Sequence, residues 1–289
     1  MKQIRRLKIG FALLMILSGL GVIGYPFLSD ALAQRHATAV IENYDTVVEE
    51  MDQERLDAAK EAARQYNRQL DSVVERDENG EAEDAGVSYV DFLNLGESMG
   101  YITIPKIDVD LPIYEGTNDD ILSQGVGHMP QTSYPLGGES THSVLTGHRG
   151  LPNAVLFTDL DKLEPGDVFY LHVLDEVLAY QVDQIRVVLP DETADITIIP
   201  GGDYCTLVTC TPYAINSHRL LVRGQRIPYT GEETQERQSQ YQALRTGTVV
   251  KRLVEVWPWL VFDGAIVIGG EGLLLLLLLR RYKKRMEDD

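Results

Sequence analysis

Cys210 and Arg219 stand at the facing ends of two short apolar runs, Thr206–Thr209 and Leu220–Val222, with Pro212 closing the first run. Their β-branched and aliphatic composition predicts a strand for each. The eight residues between Cys210 and Arg219 then return the chain in a hairpin-like connection, so the two side chains can meet. A fixed cation beside a thiol favours the thiolate, the form that attacks an acyl carbon. A guanidinium can also donate hydrogen bonds to the oxyanion formed by that attack. The missing acid/base is offered upstream by Ser143-Val-Leu-Thr-Gly-His148-Arg-Gly150. There a second short apolar run ends in glycine and is followed by an imidazole, so both reactive groups sit at the mouth of a strand.

Other residues of the same types compete for these roles. His128 in Gly125-Val-Gly-His-Met129 and His142 just before Ser143 do not follow the Thr-Gly step that ends a strand, and rank below His148. Arg149 adjoins the histidine and is expected to point away from it. Arg223 shares the face of Arg219 but lies about 13 Å along the strand. Cys205 has opposite parity to Cys210 in an extended strand, so the two thiols face opposite sides. Their Cα atoms would be about 16 Å apart, beyond the ~7 Å that a disulfide spans. Cys205 is therefore expected to be a packed core residue.

Three motifs together carry a family resemblance: Thr206-Leu-Val-Thr-Cys-Thr-Pro-Tyr213, His218-Arg-Leu-Leu-Val-Arg-Gly224 and Leu145-Thr-Gly-His-Arg-Gly150. In this order they closely resemble sortases, specifically the class C sortases that polymerise pilins, over about residues 99–227. The resemblance implies Cys210 as nucleophile, His148 as acid/base and Arg219 as stabiliser of the oxyanion or thiolate. It implies cleavage of a Leu-Pro-x-Thr-Gly-type sorting signal at Thr-Gly and transfer of the acyl group to a pilin lysine. Sortases of this class commonly carry a lid with an Asp-Pro-aromatic motif, but this chain has no Asp-Pro dipeptide and no proline between Pro26 and Pro105. The expectation is a site without that lid.

The elements that must position these residues follow in chain order. Residues 1–28 place Lys2, Arg5, Arg6 and Lys8 ahead of an apolar segment from Ile9 to Leu28, about the length a bilayer requires. An uncleaved anchor is favoured over a signal peptide. Residues 29–98 hold two helical periods, through Ala33, Ala37, Val40, Ile41, Tyr44, Val47, Val48 and Met51 and then Leu56, Ala59, Ala63, Tyr66, Leu70 and Val73. They predict two amphipathic helices breaking near Asp52, packed on the catalytic domain or on each other or forming a stalk, followed by a flexible acidic loop over residues 77–88. From residue 99 to 229 short strands are predicted at 101–104, 111–114, 143–146, 168–173, 177–182 and 185–188, besides the two at the site. Eight or so strands with little helix argue a closed β-barrel, in agreement with the eight-stranded barrel that the resemblance implies. After a linker, 230–255, comes a second apolar segment, 256–279, with seven consecutive leucines, and then a basic tail, 280–289. Asp263 and Glu271 are costly within such a segment, but its length and leucine content outweigh them. Basic residues outside both segments put both termini in the cytoplasm and the catalytic domain outside.

The fold class expected is thus mainly β: a closed barrel preceded by two amphipathic helices and flanked by two transmembrane helices. A net charge of −18 argues against a nucleic-acid partner, since a phosphate backbone needs a basic face. The expected partners are the membrane and pilins or surface proteins bearing a sorting signal. No cofactor or metal is called for, because acids such as Glu115, Asp119 and Asp120 cluster by chance in so acidic a chain. The alternatives are a housekeeping sortase that joins surface proteins to cell-wall peptide, a cysteine hydrolase, or a non-catalytic membrane adaptor for pilus assembly.

Overall fold

From Gly100 the chain alternates short β-branched and aromatic runs with turns, and eight of these runs pair edge to edge until the sheet closes on itself. The computed structural model describes residues 2–74, 98–151 and 154–231. The strands are β1 (Gly100–Ile104), β2 (Val109–Glu115), β3 (Val126–His128), β4 (Thr141–Thr146), β5 (Val168–Val173), β6 (Glu176–Val188), β7 (Asp203–Thr211) and β8 (His218–Ile227). Their order around the barrel is β1-β2-β3-β4-β7-β8-β6-β5. Only β2–β3 and β4–β7 are parallel pairs. The second brings together segments some sixty positions apart, because the β5–β6 hairpin lies between β4 and β7 in sequence.

Two features differ from the sequence expectation. The runs predicted as separate strands at 177–182 and 185–188 are one strand, β6, with an irregularity between Val182 and Gln184 where its pairing with β8 shifts register. The eighth strand is instead β3, three residues long, with Gly125 before it and Gly127 within it. The barrel interior is filled by alternate side chains of each strand, among them Ile102, Leu145, Phe169, Leu171, Cys205 and Leu207, each fully buried. A smaller apolar cluster lies on the outer face, where Val144, Val188, Val208 and Leu221 are buried against Met129 and Ile196.

The predicted helical periods form α1 (Lys2–Glu49) and α2 (Gln53–Val74). The break falls at Asp52, whose carboxylate accepts a hydrogen bond from Arg55 N at 2.8 Å and so caps α2. Both apolar stripes lie against the barrel rather than standing off as a stalk. Tyr44, 1% exposed, donates to Met99 O at 3.1 Å and accepts from Leu174 N at 2.7 Å. Asn67 of α2 makes two bonds with the backbone of Tyr134, and the Tyr66 ring lies tilted against the Tyr134 ring with centroids 4.5 Å apart. Within α1, Pro26 removes the bond to the carbonyl of Val22 and crowds it, and the helix bends by 40° between Val22 and Gly24. Among the described residues no single helix is long and apolar enough to cross a membrane, although the bent pair Gly10–Val22 and Gly24–Glu49 meets that criterion together. The acidic loop, the region where a lid is expected to be lacking and the second apolar segment lie outside the described residues.

Tyr44→Phe leaves a buried carbonyl and a buried amide without their partner. A loss of about 2–4 kcal/mol in unfolding free energy is expected, measured by urea denaturation of the detergent-solubilised chain.

Candidate active site

Alternation along β7 decides which thiol is usable. Cys205 and Leu207 point into the barrel, so Thr206, Val208 and Cys210 point out. Cys210 is partly exposed at the end of the strand, whereas Cys205 is fully buried and burial pushes its thiol well above the usual range. On one side of Cys210, the antiparallel ladder places Arg219 of β8 directly opposite. Side chains so paired have Cβ atoms about 5 Å apart. On the other side, β4 runs parallel to β7 with Thr146 paired to Val208. The chain continues in step past the strand end, since Gly147 N donates to Val208 O at 3.0 Å. Two residues beyond Thr146, His148 is level with Cys210. His148, Cys210 and Arg219 therefore form one row across three adjacent strand ends.

The local sequence explains why the row holds. Gly147 is required by close approach, because a Cβ there would meet the ring of Phe157 at 2.6 Å. That contact and the bond from Phe157 N to His148 O, 3.1 Å, set the backbone on which the imidazole stands. Thr209 Oγ1, just before Cys210, donates to Gly147 O at 2.7 Å and ties the two strand ends together. Arg219 Nη1 donates to the carbonyls of Asn216 and His218 at 3.3 and 3.2 Å, so the guanidinium is aimed by its own loop.

Arg149 does more than its rank as a rival cation suggested. Its side chain is 9% exposed and pairs with Asp161. It also donates to Thr211 Oγ1 at 3.4 Å and lies over the Tyr213 ring at 5.9 Å. It thereby braces the connection after Cys210 against the segment after His148. Nothing local signals this, since its partners lie 12 to 64 positions away and meet only in the barrel. Arg223 is engaged elsewhere, in a two-pronged pair with Asp183 and over the Tyr204 ring.

The rival histidines are structural. His128 is fully buried and donates from Nε2 to Ser133 O at 3.0 Å; burial lowers its pKa to about 4. His142 is held between Thr197 O and Thr206 Oγ1, both at 2.7 Å, and burial lowers its pKa too. It lies six residues before His148, roughly 20 Å along the strand direction. Among the described residues no group of three or more His, Cys, Asp or Glu side chains is placed to hold a metal.

A partly exposed thiol in register with a guanidinium and an imidazole is the set that acyl transfer through a thioester requires. The barrel and this row together define a sortase-type cysteine enzyme. Residues 102–227 match the family model for the sortase domain. The solved sortase C1 of GBS pilus island 1 is 46% identical over 67% of this chain and 93% of its own, with a TM-score of 0.61. Clostridium perfringens sortase C, solved with the C-terminal cell wall sorting motif, is 48% identical over 67% of this chain and all of its own, with a TM-score of 0.59. Sortase D of Bacillus subtilis is 33% identical over 135 residues, 46% of this chain and 65% of that protein. The match thus spans just under two thirds of that curated relative. The chain belongs to the sortase family, whose members are cysteine transpeptidases, and its structural neighbours are class C sortases.

Two outcomes follow from burial at and around this row. Iodoacetamide should add a single carbamidomethyl group to the native chain and none to Cys210→Ala, with Cys205 reacting only in denaturant; intact mass reads all three. His128 has its folded pKa depressed below the ordinary 6.5, so below that value the unfolded state takes up the proton first. Stability should be full above about pH 6.5 and fall by about 3 kcal/mol as pH drops to about 4. Urea denaturation across that window checks it, with the slope reduced in His128→Gln.

Proposed function

We propose that the chain is a membrane-anchored class C sortase that cleaves a Leu-Pro-x-Thr-Gly-type sorting signal at Thr-Gly and joins the acyl group to a pilin lysine. The observation that carries this reading is the cross-strand pairing of Cys210 with Arg219, with His148 and Cys210 each two residues beyond the Thr146–Val208 pair. In the first half-reaction Cys210 Sγ attacks the threonine carbonyl carbon and forms a C–S bond. Arg219 donates hydrogen bonds to the oxyanion, replacing those it makes to its own loop. His148 protonates the glycine nitrogen as the C–N bond breaks, leaving a thioester. In the second half the lysine amine attacks the same carbon and gives a proton to His148. The C–S bond breaks, the thiolate returns, and an isopeptide bond remains.

The pilin assignment is supported by the neighbours described as sortase C1 of a pilus island and as a sortase C with pilin substrate specificity. The membrane assignment is supported by the apolar segments 9–28 and 256–279, each with basic residues outside it. Phe11, Leu14, Met15, Ile16, Leu17, Leu20, Val22, Tyr25 and Leu28 of α1 are half or more exposed, as a lipid-facing helix requires. The topology read from charge puts both termini in the cytoplasm and the barrel outside.

The test is intact mass of the detergent-solubilised full chain after incubation with a Leu-Pro-x-Thr-Gly peptide. An adduct equal to the peptide's acyl half is expected on wild type and absent on Cys210→Ala. Arg219→Ala should form it roughly 100- to 1,000-fold more slowly, and a lysine-bearing pilin should discharge it. No adduct on the folded, reduced wild type would overturn the reading.

A further inference from the structure

The exposed half of α1 and the catalytic row are joined by a short chain of contacts. Ala37, Val40, Ile41 and Tyr44 are buried, whereas Phe11, Leu14, Leu17, Leu20 and Leu28 are more than 60% exposed. Asp30 lies between these two halves, and its Oδ1 accepts a hydrogen bond from Val155 N at 3.2 Å. Val155 belongs to the connection that follows His148. The same connection bears on the β7–β8 loop, because the Tyr213 ring packs over Gly150, where a Cβ would come within 2.9 Å. Around this mouth Val155, Tyr213 and Ile215 are 37%, 56% and 71% exposed.

We propose that this mouth of the barrel rests on a lipid surface, with Val155, Tyr213 and Ile215 at the bilayer interface and Cys210 held just above it. The inference rests on the reading of residues 1–28 as an anchor. Single exposed apolar residues mean little, but Val155 is bonded to Asp30, where a helix apolar on every side from Phe11 to Val22 leaves the barrel, and Tyr213 and Ile215 belong to the loop that packs on the same connection at Gly150. Such a helix is buried in protein or in lipid, and Phe11, Leu14, Met15, Ile16, Leu17, Leu20 and Val22 are half or more exposed in the protein. Leu28 and Asp30 are separated by about 3 Å along the helix axis. If Leu28 is in hydrocarbon, Asp30 and the Val155 bonded to it lie at the boundary. Tyrosine, with an apolar ring and a polar tip, suits that depth. A thiol held there meets acyl donors tethered to the same membrane at a raised effective concentration.

The test uses the full chain carrying Cys210→Ala, whose remaining thiol, Cys205, is buried. Leu17→Cys, Val155→Cys, Ile215→Cys and Glu49→Cys are made singly in it and labelled with bimane. Each is reconstituted in phosphatidylcholine–phosphatidylglycerol vesicles with brominated acyl chains. Glu49 is exposed and lies nineteen residues along α1 from Asp30, roughly 28 Å at 1.5 Å per residue. The expected result is strong quenching at position 17, intermediate quenching at 155 and 215, and none at 49. Quenching at 17 with 155 and 215 as bright as 49 would overturn the inference and leave the anchor intact. A bright label at 17 would overturn the anchor reading, and this inference with it.

Discussion

The structure depends on the register of β7 between its two neighbours. It pairs in parallel with β4 and antiparallel with β8, and each pairing delivers one partner to Cys210. Because side chains alternate with a period of two, a slip of one residue would turn Cys210 inward and Cys205 outward. It would also put Leu207 on the outer face and Val208 inside. The interior therefore enforces the site, since a register that buries Cys205 and Leu207 leaves Cys210 at the mouth. Nothing at the row itself needs to supply that energy.

The remaining freedom lies at the strand ends, where ladder pairing stops and the reactive groups begin. Three devices remove it there. Phe157 against Gly147 fixes the backbone before His148, and the Thr209 hydroxyl joins that backbone to the residue before Cys210. The Arg149–Asp161 pair then holds the connection after Cys210. An exposed ion pair contributes little, but Arg149 is almost wholly covered and also engages Thr211 and Tyr213.

What was legible in the sequence was local. The β-branched runs ending at Thr146 and Thr209, the opposite parity of the two cysteines, and the Thr-Gly step before His148 all reflect neighbours in the chain. The helix break at Asp52 was also readable, because a capping carboxylate and a change of period coincide there. The count of eight strands came out right through two compensating differences. β3 carries too few residues, with glycine among them, for any period to show. β6 is interrupted at Asp183, where the register shifts, and so reads as two. The role of Arg149 and the bond between Asp30 and Val155 were not readable, since their partners meet only after the barrel closes.

That last contact ties a helix far from the row in sequence to the connection that follows His148. Tyr44 pins α1 to the backbone at Met99 and Leu174, and Asp30 holds the connection after His148. The two points are fourteen residues apart, roughly 21 Å along the helix axis. A helix fixed at two such points cannot swing independently of the barrel, although it bends further out near Pro26. Movement of its buried half is therefore movement of the whole catalytic mouth. The course of α1 over the barrel is thus set by these two contacts, and the bend between Val22 and Gly24 lies outside both of them.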